Sequence, residues 1–559
     1  MKAKVTKTDK YLIVMMIAAA LVGLLMTFGY GEHFDFYLNR ENVLQNVALL
    51  IFRVTQKFKL PISDINQEIM NYGFILENPN RDHGMAPYYP IAWLEHIYMK
   101  TAAGYYIWCV WTYLIFLCGA FSLFEAVRES QKSFKIAAFS FFLYFLTPVI
   151  FAAGHYNNKD MTYASLCMIA FLGGLKFVRS SGKKLAGRRL IWLVIFMIAA
   201  ALATNVRVIG GWVCAVMLAF YLFYGRNDKL WKRLVYIIGI SVVTVGIYII
   251  VTPSAFQNFI PFAKELLFSA KDFQRWNGNI YINGSVYTGK GHPWYYLPEY
   301  LFLTTPLIIN ILILISMIYT GKCTVDLIGR KCDKSVKEEL IPVLISLVIW
   351  APLFVYASFS DMLYYNRWRQ FTFVYPFLIF MSGFGIKRLY LSLIKKNSNI
   401  SGKLKVSALI YGWVLVVIVA VGHPAQIAYI NPVGIVNADQ KYELDYWGIT
   451  RKLALKKIID RNEPVTVALT DENLAECLYL FPKEKQSLIT FTDEVTYDEA
   501  KEAGADHVIV YVTEVEIASV LKSGKPIDPE DYILEGYHLC DRVTAYGNDL
   551  ILIFERDEK

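Results

Sequence analysis

Polar side chains able to do chemistry recur at the ends of apolar runs. After the first run, 11–28, comes Tyr30-Gly31-Glu32-His33-Phe34-Asp35, two carboxylates and an imidazole where a helix would leave a membrane. A carboxylate beside low-dielectric surroundings gains proton affinity and can act as a base toward a hydroxyl. The turn Gly154-His155-Tyr156-Asn157-Asn158-Lys159-Asp160 crowds polar groups between two apolar runs, and Arg207 ends the short turn Thr204-Asn205-Val206-Arg207. The segment 290–298 sets His292, Trp294 and Tyr295 just before another run, where an interfacial aromatic belt would also account for the Trp and Tyr. Arg367 and Arg369 follow in Asn366-Arg367-Trp368-Arg369-Gln370. Guanidinium groups bind phosphate bidentately, although arginines at a helix end also snorkel without any ligand.

Together these residues supply a carboxylate base, several cations and aromatic faces. A lipid-phosphate sugar needs that set: its phosphate leaving group develops charge that fixed cations stabilise, and the acceptor hydroxyl needs a base on the opposite face. Such an in-line attack would invert the anomeric centre. Glu32 and Asp35 both stay open as that base on residue type and place.

The elements that must position these residues are membrane helices. Of 559 residues 56% are hydrophobic and 18% charged, against about 25% charged in ordinary soluble domains. Apolar runs near 11–30, 103–123, 136–153, 161–178, 190–205, 208–224, 234–252, 299–318, 341–358, 371–386 and 406–421 predict about eleven transmembrane helices. Reading 190–224 as a hairpin rather than one helix puts every Lys/Arg-rich connection on the cytoplasmic side. The N-terminus is then cytoplasmic, with the first run an uncleaved signal anchor. The long segments 31–102, 253–298 and 422–559 lie outside. Net charge is +9, divided into +20 for 1–440 and −11 from Lys441 onward. The basic residues sit in short loops, which disfavours nucleic acid as a partner.

The tail predicts a soluble α/β domain: helices over 451–461 and 497–503, strands over 465–469, 487–492 and 507–512, and a hairpin of 542–546 with 550–554 turning at Gly547-Asn548-Asp549. It holds no phosphate loop, nucleophile elbow or zinc spacing, so no chemistry is assigned to it. Cys477 and Cys540 are its two cysteines, and a bridge between them is open on sequence alone.

The local motifs are recognisable in order. Tyr30-Gly31-x-x-Phe34-Asp35, Asn158-Lys159-Asp160, 202–207, 292–298 with Thr304-Thr305-Pro306, 365–371, His423-Pro424, 429–432 and Tyr442-Glu443-Leu444-Asp445-Tyr446-Trp447-Gly448 resemble the bacterial branch of the dolichyl-phosphate-mannose:protein mannosyltransferase-like family, membrane glycosyltransferases of the GT-C fold. The resemblance implies a catalytic GT-C-like domain over 1–421 and an extracytoplasmic α/β domain over 422–559. It implies Asp35 as the general base, with Glu32 and Asp82 in reserve, Lys159 and Asp160 lining the donor or acceptor site, and Arg367 and Arg369 holding the lipid phosphate. The family often has an Asp-Glu pair where this chain has Asp35-Phe36, a proline in place of Asn158 and a histidine in place of Gln370.

The expected activity is therefore sugar transfer by a hexosyltransferase, mannosyltransferase-like, in the cell membrane. Its partners are a polyprenyl-phosphate donor, membrane lipids and an extracytoplasmic glycan, lipid or protein acceptor. His155, Asn158, Arg207, His292, Trp294 and Tyr295 complete the expected substrate-binding set. No cofactor is implied, and no spacing supports a divalent cation. The alternatives are a lipid-linked saccharide flippase or exporter, whose ionisable groups belong at the bilayer midplane, and an inactive glycosyltransferase relative.

Overall fold

A helix needs about 20 apolar residues to cross a hydrocarbon core of about 30 Å. In the computed structural model, which describes residues 6–82, 84–256, 259–271, 278–364 and 366–557, nine helices meet that requirement. They are Lys7–Gly29, Ala102–Gln131, Asp160–Arg179, Arg188–Val206, Leu230–Val251, Leu307–Ile328, Lys334–Phe359, Val374–Lys396 and Ile400–Val421. A tenth span is broken: Phe134–Phe145 and Pro148–Tyr156 meet at 71°, because Pro148 starts a new helix and has no N–H to continue the old one. Gly210–Tyr224 is a shorter apolar helix. The chain is thus a multi-pass membrane protein, and every expected span has its helix.

Two of those spans differ in detail. The run 299–318 divides at Thr304-Thr305-Pro306 into Tyr296–Leu303 and a span beginning at Leu307, so it lies further along the chain than expected. The 190–224 hairpin forms: a Cβ on Gly210 would stand 2.4 Å from the carbonyl carbon of Ala203, an approach possible only if the chain folds back. Close backbone contact recurs within the bundle, where a Cβ on Gly385 would strike Ser316 and one on Gly119 would lie 2.7 Å from Ser165. Small residues bring membrane helices together in this way.

The Lys/Arg-rich connections gather at one end of the bundle, where Asp9, Lys132, Arg179, Asn227 and Glu338 share one cavity wall. The segment 31–102 belongs to the other end and contains a 23-residue helix, Phe36–Phe58, that pattern reading missed. Its Asn39, Arg40, Asn42 and Asn46 are buried, and Arg40 pairs with buried Glu95. A small hairpin, β1 (Asn279–Ile282) and β2 (Ser285–Thr288), turns through Asn283 and Gly284, both at positive φ.

The tail is an α/β domain with strands β3 (Val465–Leu469), β4 (Ile489–Glu494), β5 (His507–Tyr511), β6 (Tyr537–Ala545) and β7 (Asn548–Arg556) in the order β4-β3-β5-β7-β6. The β3–β4 and β3–β5 pairs are parallel and the others antiparallel. The closing hairpin turns at Tyr546 and Gly547, both at positive φ, one residue before the expected turn and with longer strands. The helix expected over 497–503 is instead a series of hydrogen-bonded turns, and the tail's longest helix, Val512–Ser523, follows β5 directly. Cys477 and Cys540 are both free: Cys477 is buried, while the Cys540 thiol donates to the Ile553 carbonyl at 3.2 Å.

Arg451 locks the tail to the bundle. Fully buried, it donates from Nη1 to Asp471 at 2.6 Å, from Nε to the Gly448 carbonyl at 3.0 Å and from Nη2 to the Glu32 carbonyl at 3.2 Å, with its guanidinium 4.1 Å from the Phe34 ring. Lys452 reaches the Phe28 carbonyl and the Tyr106 hydroxyl. Removing one member of a buried pair strands the other, so Arg451→Met is expected to cost about 3 kcal/mol. A fall in thermal unfolding temperature of the detergent-solubilised protein, larger than that of Lys456→Met on the surface, checks this.

Candidate active site

Asp35, Lys159, Asp160, Arg207 and Arg369 share one cavity of about 560 Å³ at the end of the bundle opposite the basic connections. Four separate elements deliver them. Asp35 precedes the helix Phe36–Phe58, Lys159 caps and Asp160 begins the helix Asp160–Arg179, Arg207 caps the helix Arg188–Val206, and Arg369 opens the short turn before Val374. Helix ends place polar groups at a membrane boundary without burying them in lipid.

The charges interlock. Arg369 Nη1 donates to Asp35 Oδ2 at 3.2 Å, and its guanidinium lies 4.3 Å from the Trp447 ring. Arg207 pairs with Asp160, which also accepts from the Asn157 amide at 3.3 Å. Burial pushes the Asp35 carboxyl up, but Arg369, His33 and Lys159 outweigh it and hold the group below its ordinary value. Burial, aided by Arg207, drives the Lys159 ammonium down to about 7.

The other expected residues lie outside the cavity lining. Asn158 braces the wall from behind, its Oδ1 accepting from Asn39 at 3.0 Å. Arg367 turns inward: its backbone N–H donates to the Tyr296 hydroxyl at 2.8 Å, its Nη1 to the Ile427 carbonyl at 2.7 Å, and it is 2% exposed. The cause is local, because Asn366 and Arg367 both hold positive φ, which turns alternate side chains away from the plain strand pattern. His155 is buried between Tyr30 and Tyr113, with Nδ1 2.9 Å from the Thr27 hydroxyl. His292 contacts the Met362 carbonyl through Nε2 at 3.1 Å, and exposed Trp294 stacks on Phe359. Tyr295 stands beside Trp294, 5.9 Å between rings. Of the reserve acids, Glu32 is raised to about 8 by burial and bonds Tyr479 of the tail, and Asp82 is not on the cavity wall.

The cavity has a second side that sequence reasoning did not assign. Glu443, Asp445, Tyr446 and Trp447 line it, and so do Tyr511, Thr513 and Glu514 from the tail domain. Asp445 is committed to the backbone N–H groups of Ile449 and Thr450 and to the Thr450 hydroxyl. Glu443 accepts from Asn366 Nδ2 at 3.0 Å, and burial raises its carboxyl to about 7. The signal was present in the string 442–448, whose acids are two apart and share one face of an extended stretch.

For a metal, the candidate ligands among the described residues that lie close enough together are His507, Cys540 and Glu555 in the tail. Arg461 already serves them, with Nη1 2.6 Å from Glu555 and 3.1 Å from His507, and Nη2 3.2 Å from the Cys540 sulfur. A guanidinium occupies the position a cation would take.

No family model matches the chain, and no curated protein matches it. Among solved structures, the chain is similar to the crystal structure of ArnT from Cupriavidus metallidurans bound to undecaprenyl phosphate, with TM-score 0.47 and 13% identity over 97% of each chain. It is similar as well to the same protein in the apo state, with TM-score 0.45 and 14% identity over 98% of each.

Proposed function

We propose that the chain is a membrane glycosyltransferase of GT-C type that transfers a sugar from a polyprenyl-phosphate carrier to an acceptor hydroxyl, with inversion. The observation that carries this reading is the meeting of the Asp35 carboxylate with three cations, Lys159, Arg207 and Arg369, in one cavity at a single end of the bundle, where Asp160 is paired with Arg207 and Asp445 is held by its own backbone contacts. The cations would hold the phosphate and stabilise its charge as the sugar–oxygen bond breaks, while Asp35 takes the acceptor proton. Trp447 and Tyr446 offer faces to a sugar ring. The gathering of basic connections at the opposite end supports an extracytoplasmic cavity. A cell-surface glycan, lipid or protein would be the acceptor, reached across the wall that the tail contributes; a hexose such as mannose is the donor class to try first.

A carrier would place its charges midway along the spans, and these sit at helix ends. The test incubates purified protein with a panel of polyprenyl-phosphate sugars and membrane acceptors and follows release of polyprenyl phosphate together with the anomeric configuration of the product. Movement of intact lipid-linked saccharide across vesicles, with no release, would favour the carrier instead. Within the transfer reading, Arg369→Ala should weaken donor binding roughly 10- to 100-fold, the worth of a charge-assisted hydrogen bond. Calorimetric titration with the donor checks this, and unaltered affinity would remove Arg369 from the phosphate site.

A further inference from the structure

A second cavity, also of about 560 Å³, lies far from the charged one. Four membrane helices form it: Phe134–Phe145, Leu307–Ile328, Val374–Lys396 and Ile400–Val421. Its walls are apolar, with Phe139, Leu312 and Leu393 among them, except at one end, where Lys135, Lys387 and Lys405 stand. That end belongs to the basic connections, opposite Asp35.

The groove is long and narrow. Trp368 Nε1 donates to Thr304 at 2.8 Å and Ser316 donates to the Ser382 carbonyl at 3.2 Å, so the helices Leu307–Ile328 and Val374–Lys396 run side by side in the same direction. From the level of Ile308 to that of Lys387 the groove extends on the order of 15 to 20 Å at 1.5 Å per residue, and its wall continues past the lysine to Leu393. Its apolar part therefore spans about half of a hydrocarbon core of about 30 Å, the depth of one leaflet.

The lysines differ in their commitments. Lys387 donates to Glu339 and to the Gln131 carbonyl, both at 2.6 Å, and Arg388 pairs with the same glutamate, which is thereby more than neutralised. Lys135 and Lys405 are exposed and form no ion pair among the described residues. An apolar channel about one leaflet deep, with uncompensated cations towards its wet end, has the polarity of an anionic phospholipid: chain inside, phosphate at the mouth.

We propose that this groove is a binding site for an anionic phospholipid of the surrounding membrane, its acyl chain lying between the four helices and its headgroup held by Lys135 and Lys405. The site is independent of sugar transfer. Native mass spectrometry of the full-length protein released from nanodiscs of equimolar phosphatidylglycerol and phosphatidylcholine tests it. Wild type should retain phosphatidylglycerol about thirtyfold over phosphatidylcholine, the scale expected when two lysines act near a membrane surface. Lys135→Gln with Lys405→Gln should abolish the preference, and Lys135→Arg with Lys405→Arg should keep it. Ala408→Trp, which fills the groove, should displace both lipids. Equal retention of the two lipids by wild type or an undiminished preference in the glutamine pair would overturn the proposal. The glutamine and arginine pairs lie at the exposed rim, so they decide the question even where the tryptophan variant fails to fold.

Discussion

Asp35→Asn is expected to lower the rate of sugar transfer roughly 10²- to 10⁴-fold while leaving donor affinity within a few fold of wild type, the usual worth of a positioned base. Asparagine keeps the size of the side chain and can still accept from Arg369, but it cannot take a proton. In the free protein Asp35 is a poor base, because Arg369, His33 and Lys159 outweigh the effect of burial and hold its proton affinity low. A donor phosphate seated on Arg369 and Lys159 would neutralise that attraction and leave burial, the largest single influence, to raise it. The carboxylate thus becomes a stronger base once the donor has bound. Single-turnover rates with preloaded donor, beside donor dissociation constants for both proteins, check the result. Equal turnover would exclude Asp35 as the base and direct attention to Glu443.

The residues legible in the sequence were those whose polarity is anomalous where they stand. Asp35, Lys159, Asp160, Arg207 and Arg369 each interrupt or end an apolar run, and the cost of placing a charge in lipid explains why all five reach the same aqueous boundary. The bundle was legible for a similar reason, since spans are set by length and hydropathy. Arg367 shows what was hidden. Two residues from Arg369 and identical in type, it faces the protein interior because Asn366 and Arg367 adopt left-handed backbone conformations that side-chain chemistry does not announce. His155 and His292 were equally plausible as site residues, yet each is used to join segments of the chain.

The tail's contribution could not be read from spacing at all. Tyr511, Thr513 and Glu514 come within one cavity of Asp35 although nearly 480 residues separate them in the chain, and their approach depends on the Arg451 and Tyr479 contacts. Within the tail, parallel pairing of β3 with β4 and β5 follows from alternating helices and strands, but the face that the sheet presents to the bundle does not. A domain without any motif of its own thus supplies part of the cavity wall. Changes in Thr513 or Glu514 should therefore bear on which acceptor is used more than on donor affinity.

Lys159 gives the second large effect, and its sign follows from its surroundings. Burial and the neighbouring Arg207 bring its ammonium down to about 7, so it is cationic below that pH and neutral above it. A polyprenyl-phosphate sugar is a phosphodiester with no titration near neutrality, which leaves Lys159 and Glu443, whose carboxyl is also near 7, as the cavity groups that change charge there, so the lysine is tested in a Glu443→Gln background. Donor affinity should be constant below pH 7 and fall by up to about tenfold per pH unit above it, until the pH reaches the higher value that the bound phosphate confers on the lysine. Lys159→Gln should bind the donor weakly at every pH and show no such slope between pH 7 and 9. Lys159→Arg, permanently charged, should retain affinity at pH 9 and lose the slope as well. Donor titrations of the three proteins across that range separate a titrating phosphate ligand from a merely structural lysine, because a structural role would shift affinity without shifting its dependence on pH. A wild-type affinity flat from pH 6 to 9 would remove Lys159 from the phosphate site and leave Arg207 and Arg369 to hold the donor.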